Sequence, residues 1–207
     1  MLKTVSFCFF LMFSFSYGQK VVEKSLDASG LERILISSKT ISRISIVSEK
    51  TDKITILTKI SGETYENLVV TTSEENKTLI LDTSYIPFFT AENDKLAAHK
   101  VISIEMTVIV PEFFSIAINS EIASVKASGS FDLLSITLRG GNCLVQDFIG
   151  NARIKTQKGA ITVYTNSTVS GTANSVKGRV ENELVSNGMY RIIAESRSGA
   201  IGLFQTK

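Results

Sequence analysis

The stretch Ile154-Lys155-Thr156-Gln157-Lys158-Gly159-Ala160-Ile161-Thr162-Val163 decides the fold, because its pattern returns along the chain at a nearly constant interval. Anchored on the glycine, the pattern recurs at Ala123, Gly141, Gly159, Gly178 and Gly199, with spacings of 18, 18, 19 and 21 residues. Two residues after each anchor stand Val125, Cys143, Ile161, Val180 and Ile201, and four after it Ala127, Val145, Val163, Asn182 and Leu203. Five before it are Ile118, Ile136, Ile154, Ala173 and Ala194, and three before it Ser120, Leu138, Thr156, Ser175 and Ser196. Side chains two apart on an extended chain share a face. Each unit therefore reads as two short strands with inward positions on either side of a tight corner, where glycine suits a positive φ.

Nearly equal units that supply the same inward rows are what a parallel β-solenoid needs, since each coil stacks on the next and no coil is stable alone. Residues 113–207 are expected to form about five such two-strand coils. Asn182 is the misfit in an inward row and marks a wider or open part of the stack. The alternative is an ordinary sandwich with coincidental spacing, because the 19- and 21-residue gaps require small insertions.

Upstream the signal changes to plain alternation: Ile34/Ile36, Ile44/Ile46, Ile54/Ile56, Leu68/Val70, Leu79/Leu81, and Ile102 to Val110 at every second residue. Polar turns separate these runs, as at Ser48-Glu49-Lys50-Thr51-Asp52 and Glu74-Glu75-Asn76-Lys77, and short links favour antiparallel neighbours. Residues 31 to 110 thus read as about six strands, closed by Pro111, within an N-terminal antiparallel β region over 19–112. This region and the repeats could share one continuous core. The fold class is all-β.

The first eighteen residues read differently, with a single charge at Lys3 and an apolar, small-residue run from Val5 to Phe15. That length suits a signal-peptide core and falls short of the ~20 apolar residues of a membrane span. Cleavage is expected between Gly18 and Gln19, and no later stretch is long and apolar enough to span a bilayer. Export to the periplasm, the outer surface or the extracellular space follows. Cys8 lies inside this segment among apolar residues, a poor site for lipidation, so Cys143 is the one thiol of the mature chain and cannot form an internal disulfide. A formal net charge of +2 with interspersed signs gives nucleic acid nothing to hold.

With these residues in hand, a resemblance is visible. The export signal, the β-rich first half and the corners Lys158-Gly159-Ala160-Ile161-Thr162-Val163, Lys177-Gly178-Arg179-Val180 and Ser198-Gly199-Ala200-Ile201-Gly202-Leu203 resemble the bacterial "putative adhesin" family of β-strand repeats, many of whose members have no assigned function. The run Asn93-Asp94-Lys95-Leu96-Ala97-Ala98-His99-Lys100-Val101 is similar to a segment of secreted Bacteroidetes members. The resemblance implies a cell-envelope protein that binds a glycan or an envelope or host protein, and it carries no functional residue across.

The residue inventory speaks against catalysis. The sequence has one histidine, His99, beside Lys100, and the one mature thiol is expected to point inward, so neither a nucleophile–histidine pair nor a Cys/His metal cluster can be assembled. No cofactor is implied. The outward row four before each anchor, Asn119, Thr137, Lys155, Asn174 and Glu195, is a mixed polar ladder without paired carboxylates, unlike a polysaccharide-cleaving face. It reads as a solvated surface that could match a polymer, with Lys155 and Asn174 as candidate contacts. Tyr85, Phe88 and Phe89 form a second candidate surface, or else cap the open end of the stack or seal it to the N-terminal sheet. A periplasmic scaffold is the alternative to an adhesin, and a polysaccharide-active enzyme is a third class.

Overall fold

The computed structural model describes residues 19–62, 65–86 and 102–206. Among them are fifteen β-strands in one mixed sheet, one short 3-10 turn and no α-helix. The six strands expected between residues 31 and 110 are present as β2 (Arg33–Ser38), β3 (Arg43–Glu49), β4 (Lys53–Ser61), β5 (Leu68–Glu75), β6 (Thr78–Tyr85) and β7 (Ser103–Pro111). They are preceded by β1 (Gln19–Asp27), an edge strand whose partial burial leaves no clean alternation to read.

The pairing of this first region corrects the antiparallel expectation. β1 with β4, β4 with β7, and β5 with β6 are antiparallel, but β2 lies parallel to β6 and β3 parallel to β7. The physical reason is local. Residues 39–42 do not reverse the chain as a hairpin. The Ser38 hydroxyl instead accepts the N–H groups of Thr40 and Ile41, at 3.1 and 3.0 Å, and turns a corner that places β2 and β3 in different strand rows. Ile34, Ile36, Ile44 and Ile46 then stand to this corner as the inward rows stand to the later anchors.

The remaining strands are β8 (Phe114–Ser120), β9 (Ser124–Leu138), β10 (Cys143–Thr156), β11 (Ile161–Thr165), β12 (Val169–Ser175), β13 (Val180–Asn182), β14 (Tyr190–Ser196) and β15 (Ile201–Gln205). The two short strands expected on either side of each tight corner remain separate, whereas the second strand of one unit and the first of the next are fused through a bend in β9 and in β10, each of which runs from one tight corner to the next. A register shift between Gln146 and Ile149 marks the bend, with Asp147 and Gly150 at positive φ. Two strand rows result. One runs β5-β6-β2-β8 and on through the ends of β9 and β10 to β14 and β12. The other runs β1-β4-β7-β3 and on through the starts of β9 and β10 to β11, β15 and β13.

All pairs within the repeat region are parallel, and their registers reproduce the sequence rows. Val125 pairs with Cys143, Cys143 with Ile161, and Ile161 with Ile201. The step from Ile161 to Ile201 skips a unit. β14 and β15 lie between the third unit and the fourth, so β12 and β13 form the outer edge. Burial explains the inversion. The fifth unit presents Ile192, Ala194, Ile201 and Leu203, all buried, whereas the fourth offers Ala173, Val180 and Asn182, and β13 is exposed throughout. An apolar layer gains most when covered on both sides. Asn182 does occupy the open end, where its side-chain amide donates to the Gly171 carbonyl at 2.9 Å.

The two regions share one sheet and one core. β2 pairs with β8 and β3 with β9, and one apolar cluster runs from Ala28 to Leu203.

At the corners, hydroxyls from the row three before the anchor accept the anchor's N–H: Ser120 from Ala123 at 3.1 Å, Ser175 from Gly178 at 2.9 Å and Ser196 from Gly199 at 2.8 Å. Positive φ is confined to Gly141 and Gly159 among the anchors; Gly178 and Gly199 are glycine for lack of room. A Cβ on Gly199 would stand 1.7 Å from the carbonyl oxygen of Gly159 in the adjoining unit. Gly199→Ala should therefore destabilise the protein by about 3 kcal/mol or more, because two backbones must separate. Gly30→Ala, at φ 82° with nothing within 4 Å of the new methyl, should lose only about 1–2 kcal/mol to backbone strain. Urea unfolding of the two variants checks this, and equal losses would contradict the close-contact account.

Candidate functional site

The outward side chains of the first strand row build one continuous surface. In stacking order the row four before the corners reads Ser37, Asn119, Thr137, Lys155, Glu195, Asn174, each paired with the next across the ladder. Two residues further along lies a second row of Lys39, Glu121, Arg139, Gln157, Arg197 and Val176. Together the two rows line a shallow groove of about 770 Å³ that crosses six strands. With five inter-strand steps of about 4.8 Å, the groove is roughly 24 Å long.

Position follows from the strands, since odd and even residues point to opposite faces. Ile154 and Thr156 are buried while Lys155 is exposed, and Ala194 and Ser196 are buried beneath Glu195. Except on the outer side of β12, the ladder uses up the backbone N–H and C=O groups, so a ligand in the groove meets side chains.

Two ion-pair groups order the surface. Lys155 Nζ lies 2.8 Å from Glu195 on the neighbouring strand, and Glu121 is approached by Arg139 at 3.5 Å and Lys39 at 3.9 Å. Arg197 has no ion-pair partner among the described residues. The carboxylates of Glu121 and Glu195 belong to β8–β9 and β14–β15 corners three inter-strand steps apart, about 14 Å by strand spacing. Glycosidase pairs need roughly 5–10 Å, so this spacing opposes glycosidic cleavage.

The sequence-derived candidates fall out unevenly. Lys155 and Asn174 do share the groove, but Glu195 stands between them, because the fifth unit is inserted before the fourth. The second row and the contribution of Ser37 and Lys39 from the first region were missed. The signal for the latter is the Ile34/Ile36/Ser38 and Ile44/Ile46 pattern, a further unit one residue longer at its corner. Tyr85 ends β6 opposite Leu68, with its side chain outside the described residues. Phe88, Phe89, His99 and Gly18 also lie outside them, whereas Gln19 opens β1.

Cys143 points inward as expected, between Val125 and Ile161 on the neighbouring strands. Among the described residues no helix is long and apolar enough to cross a membrane.

Solved structures give this architecture a context. A "putative cell adhesion protein" from Clostridium sporogenes is 16% identical, covers 91% of this chain and 100% of its own, and superposes with a TM-score of 0.65. The two share a fold. "Putative adhesins" from Bacteroides fragilis and Parabacteroides distasonis are 12% and 11% identical, each covering 89% of this chain and 97% of their own. Their TM-scores of 0.40 and 0.32 fall below the level at which a common fold follows. No protein-family model matches the sequence, and no curated protein matches it.

Burial without a charged partner pushes the Cys143 thiol up from 9.0 to about 12. In the folded state the thiol keeps its proton where the unfolded chain would lose it. The associated stability is fully present below pH 9.0 and is lost as the pH rises from there through about 12. Cys143→Ala should flatten that alkaline loss in thermal melts, and the native wild-type thiol should resist Ellman's reagent until the protein unfolds. Rapid labelling of the native protein would contradict the burial.

Proposed function

We propose that this chain is an exported, non-enzymatic cell-envelope protein of adhesin type. Residues 113–207, together with the corner of residues 39–42, act as a β-solenoid whose outer face holds a glycan or protein partner. The observation that carries the reading is the groove across six parallel-paired strands, lined by Asn, Thr, Gln, Lys and Arg side chains on a backbone paired on both sides in every strand but the outermost, β12.

Three considerations support it. A rigid stack fixes those side chains at strand spacing, so a long ligand can be read without ordering a loop. The fold is shared with a protein named for cell adhesion. The apolar run at the N-terminus, Val5 to Phe15, matches an export signal with cleavage after Gly18. On this reading the N-terminal region, 19–112, closes one end of the stack, and β12, β13 and the segment carrying Leu184 close the other.

Protease digestion of intact cells that carry a C-terminally tagged chain, beside a periplasmic control protein, tests the reading. Loss of the tag while the control survives is expected, together with attachment of those cells to immobilised glycans or matrix proteins that disappears after digestion. A tag protected until the outer membrane is opened would contradict direct adhesion and leave a periplasmic scaffold.

A further inference from the structure

We infer that the groove binds an anionic polysaccharide, held by Arg139, Arg197, Lys155 and Lys39. This rests on the reading of the groove as the ligand face and specifies what occupies it.

Charge is the first support. The whole chain carries a formal net charge of only +2, yet this groove holds four cations against two carboxylates. The adjoining corner positions add Lys158 and Lys177, both exposed and without ion-pair partners among the described residues. Glu121 and Glu195 are already engaged by Arg139, Lys39 and Lys155, so the excess positive charge is available to a ligand, with Arg197 free of any ion pair among the described residues. A concave surface with one dominant sign concentrates counter-ions, and arginine in particular grips carboxylates through paired N–H groups.

Spacing is the second support. Along the second row, Lys39, Arg139 and Arg197 stand on every other strand, about 10 Å apart by strand spacing. Asn119, Thr137, Gln157 and Asn174 lie among them and offer amides and hydroxyls. A polysaccharide whose acidic group returns to one side at every second sugar would meet a cation at each return and a neutral hydrogen-bonding group between returns.

The third support separates a glycan from an acidic polypeptide. A peptide gains much of its affinity by extending a sheet edge through backbone hydrogen bonds, and although β12 is the outer edge, the other five strands under this groove are interior to the sheet, paired on both sides. Recognition there is by side chains alone, which suits a polymer rich in hydroxyl and carboxylate groups.

Hyaluronan, with one carboxylate per disaccharide, is the probe, compared with its carboxyl-reduced neutral form and with poly-glutamate of similar length by calorimetry on the full mature chain. Hyaluronan should bind about tenfold more tightly than either comparator at low salt, and the advantage should shrink towards unity at about 1 M salt. The double variant Arg139→Ala/Arg197→Ala should lose that advantage while its melting temperature stays near wild type, since both side chains point outward. Lys126→Ala, exposed on the other strand row, should bind like wild type. Equal affinity for the neutral polymer would overturn the charge argument, equal affinity for poly-glutamate would overturn the glycan assignment, and failure to bind any of the three would overturn both. Cell attachment that persists in the double variant would also overturn this inference while leaving the adhesin reading standing.

Discussion

The structure depends on its tight corners, where a buried or half-buried hydroxyl accepts the N–H of the residue three further on and one backbone rests directly on the next. Ser38, Ser120, Ser175 and Ser196 each close such a turn. The Thr156 hydroxyl sits 3.0 Å from the Gly159 carbonyl and 2.9 Å from Ser196 Oγ, and the Ser175 hydroxyl donates to the Gly199 carbonyl at 2.8 Å, so neighbouring corners are tied to one another. A buried N–H left without a partner costs about 1–3 kcal/mol. The row of hydroxyls removes that penalty at most corners, and the glycines let the turns approach closely enough to keep the ladder hydrogen bonds going around them. Gly140 N–H to Glu121 O at 2.8 Å and Lys158 N–H to Arg139 O at 3.1 Å are examples.

Close stacking of the corners has a consequence on the outside. Because every inward hydroxyl is flanked by outward residues, the side chains that sequence places beside the corner are brought to strand spacing along the stack. The groove is the outer surface of the same turns whose inner surface holds the Ser and Thr row. Its charges follow the stacking order, and this is why the insertion of β14 and β15 matters: it sets Glu195 against Lys155 and leaves Arg197 two strands from Arg139.

Much of this was legible in the sequence. The rows through Val125, Cys143 and Ile161 and through Ile118, Ile136 and Ile154 were readable because an inward position on a parallel ladder tolerates little but an aliphatic side chain, and all six are buried. The misfit of Asn182 was equally informative, since a polar amide is stable only where the stack ends. What the sequence concealed was order. Nothing local in residues 169–205 says that the fourth unit lies outside the fifth; that outcome is a competition between two layers for the covered position. The parallel pairing of β2 with β6 and of β3 with β7 was also hidden, because a four-residue link between alternating runs fits a hairpin as well as a corner. The second groove row escaped notice because it belongs to the turns themselves, where no periodicity in hydrophobicity marks it.

The order of the units is the claim on which the groove and its charges rest, and a pair of engineered disulfides tests it most directly. In a Cys143→Ser background, Lys155→Cys with Glu195→Cys places two thiols on directly paired residues of adjacent strands, while Lys155→Cys with Asn174→Cys places them two strands apart. Adjacent parallel residues, at about 4.8 Å, lie within disulfide reach, and residues at twice that spacing do not. The account predicts rapid air oxidation of the first pair with the fold retained, and none of the second. Cross-linking of the second pair in preference to the first would mean that the units stack in sequence order, and the arrangement of Arg139, Lys155 and Arg197 described above would fall with it.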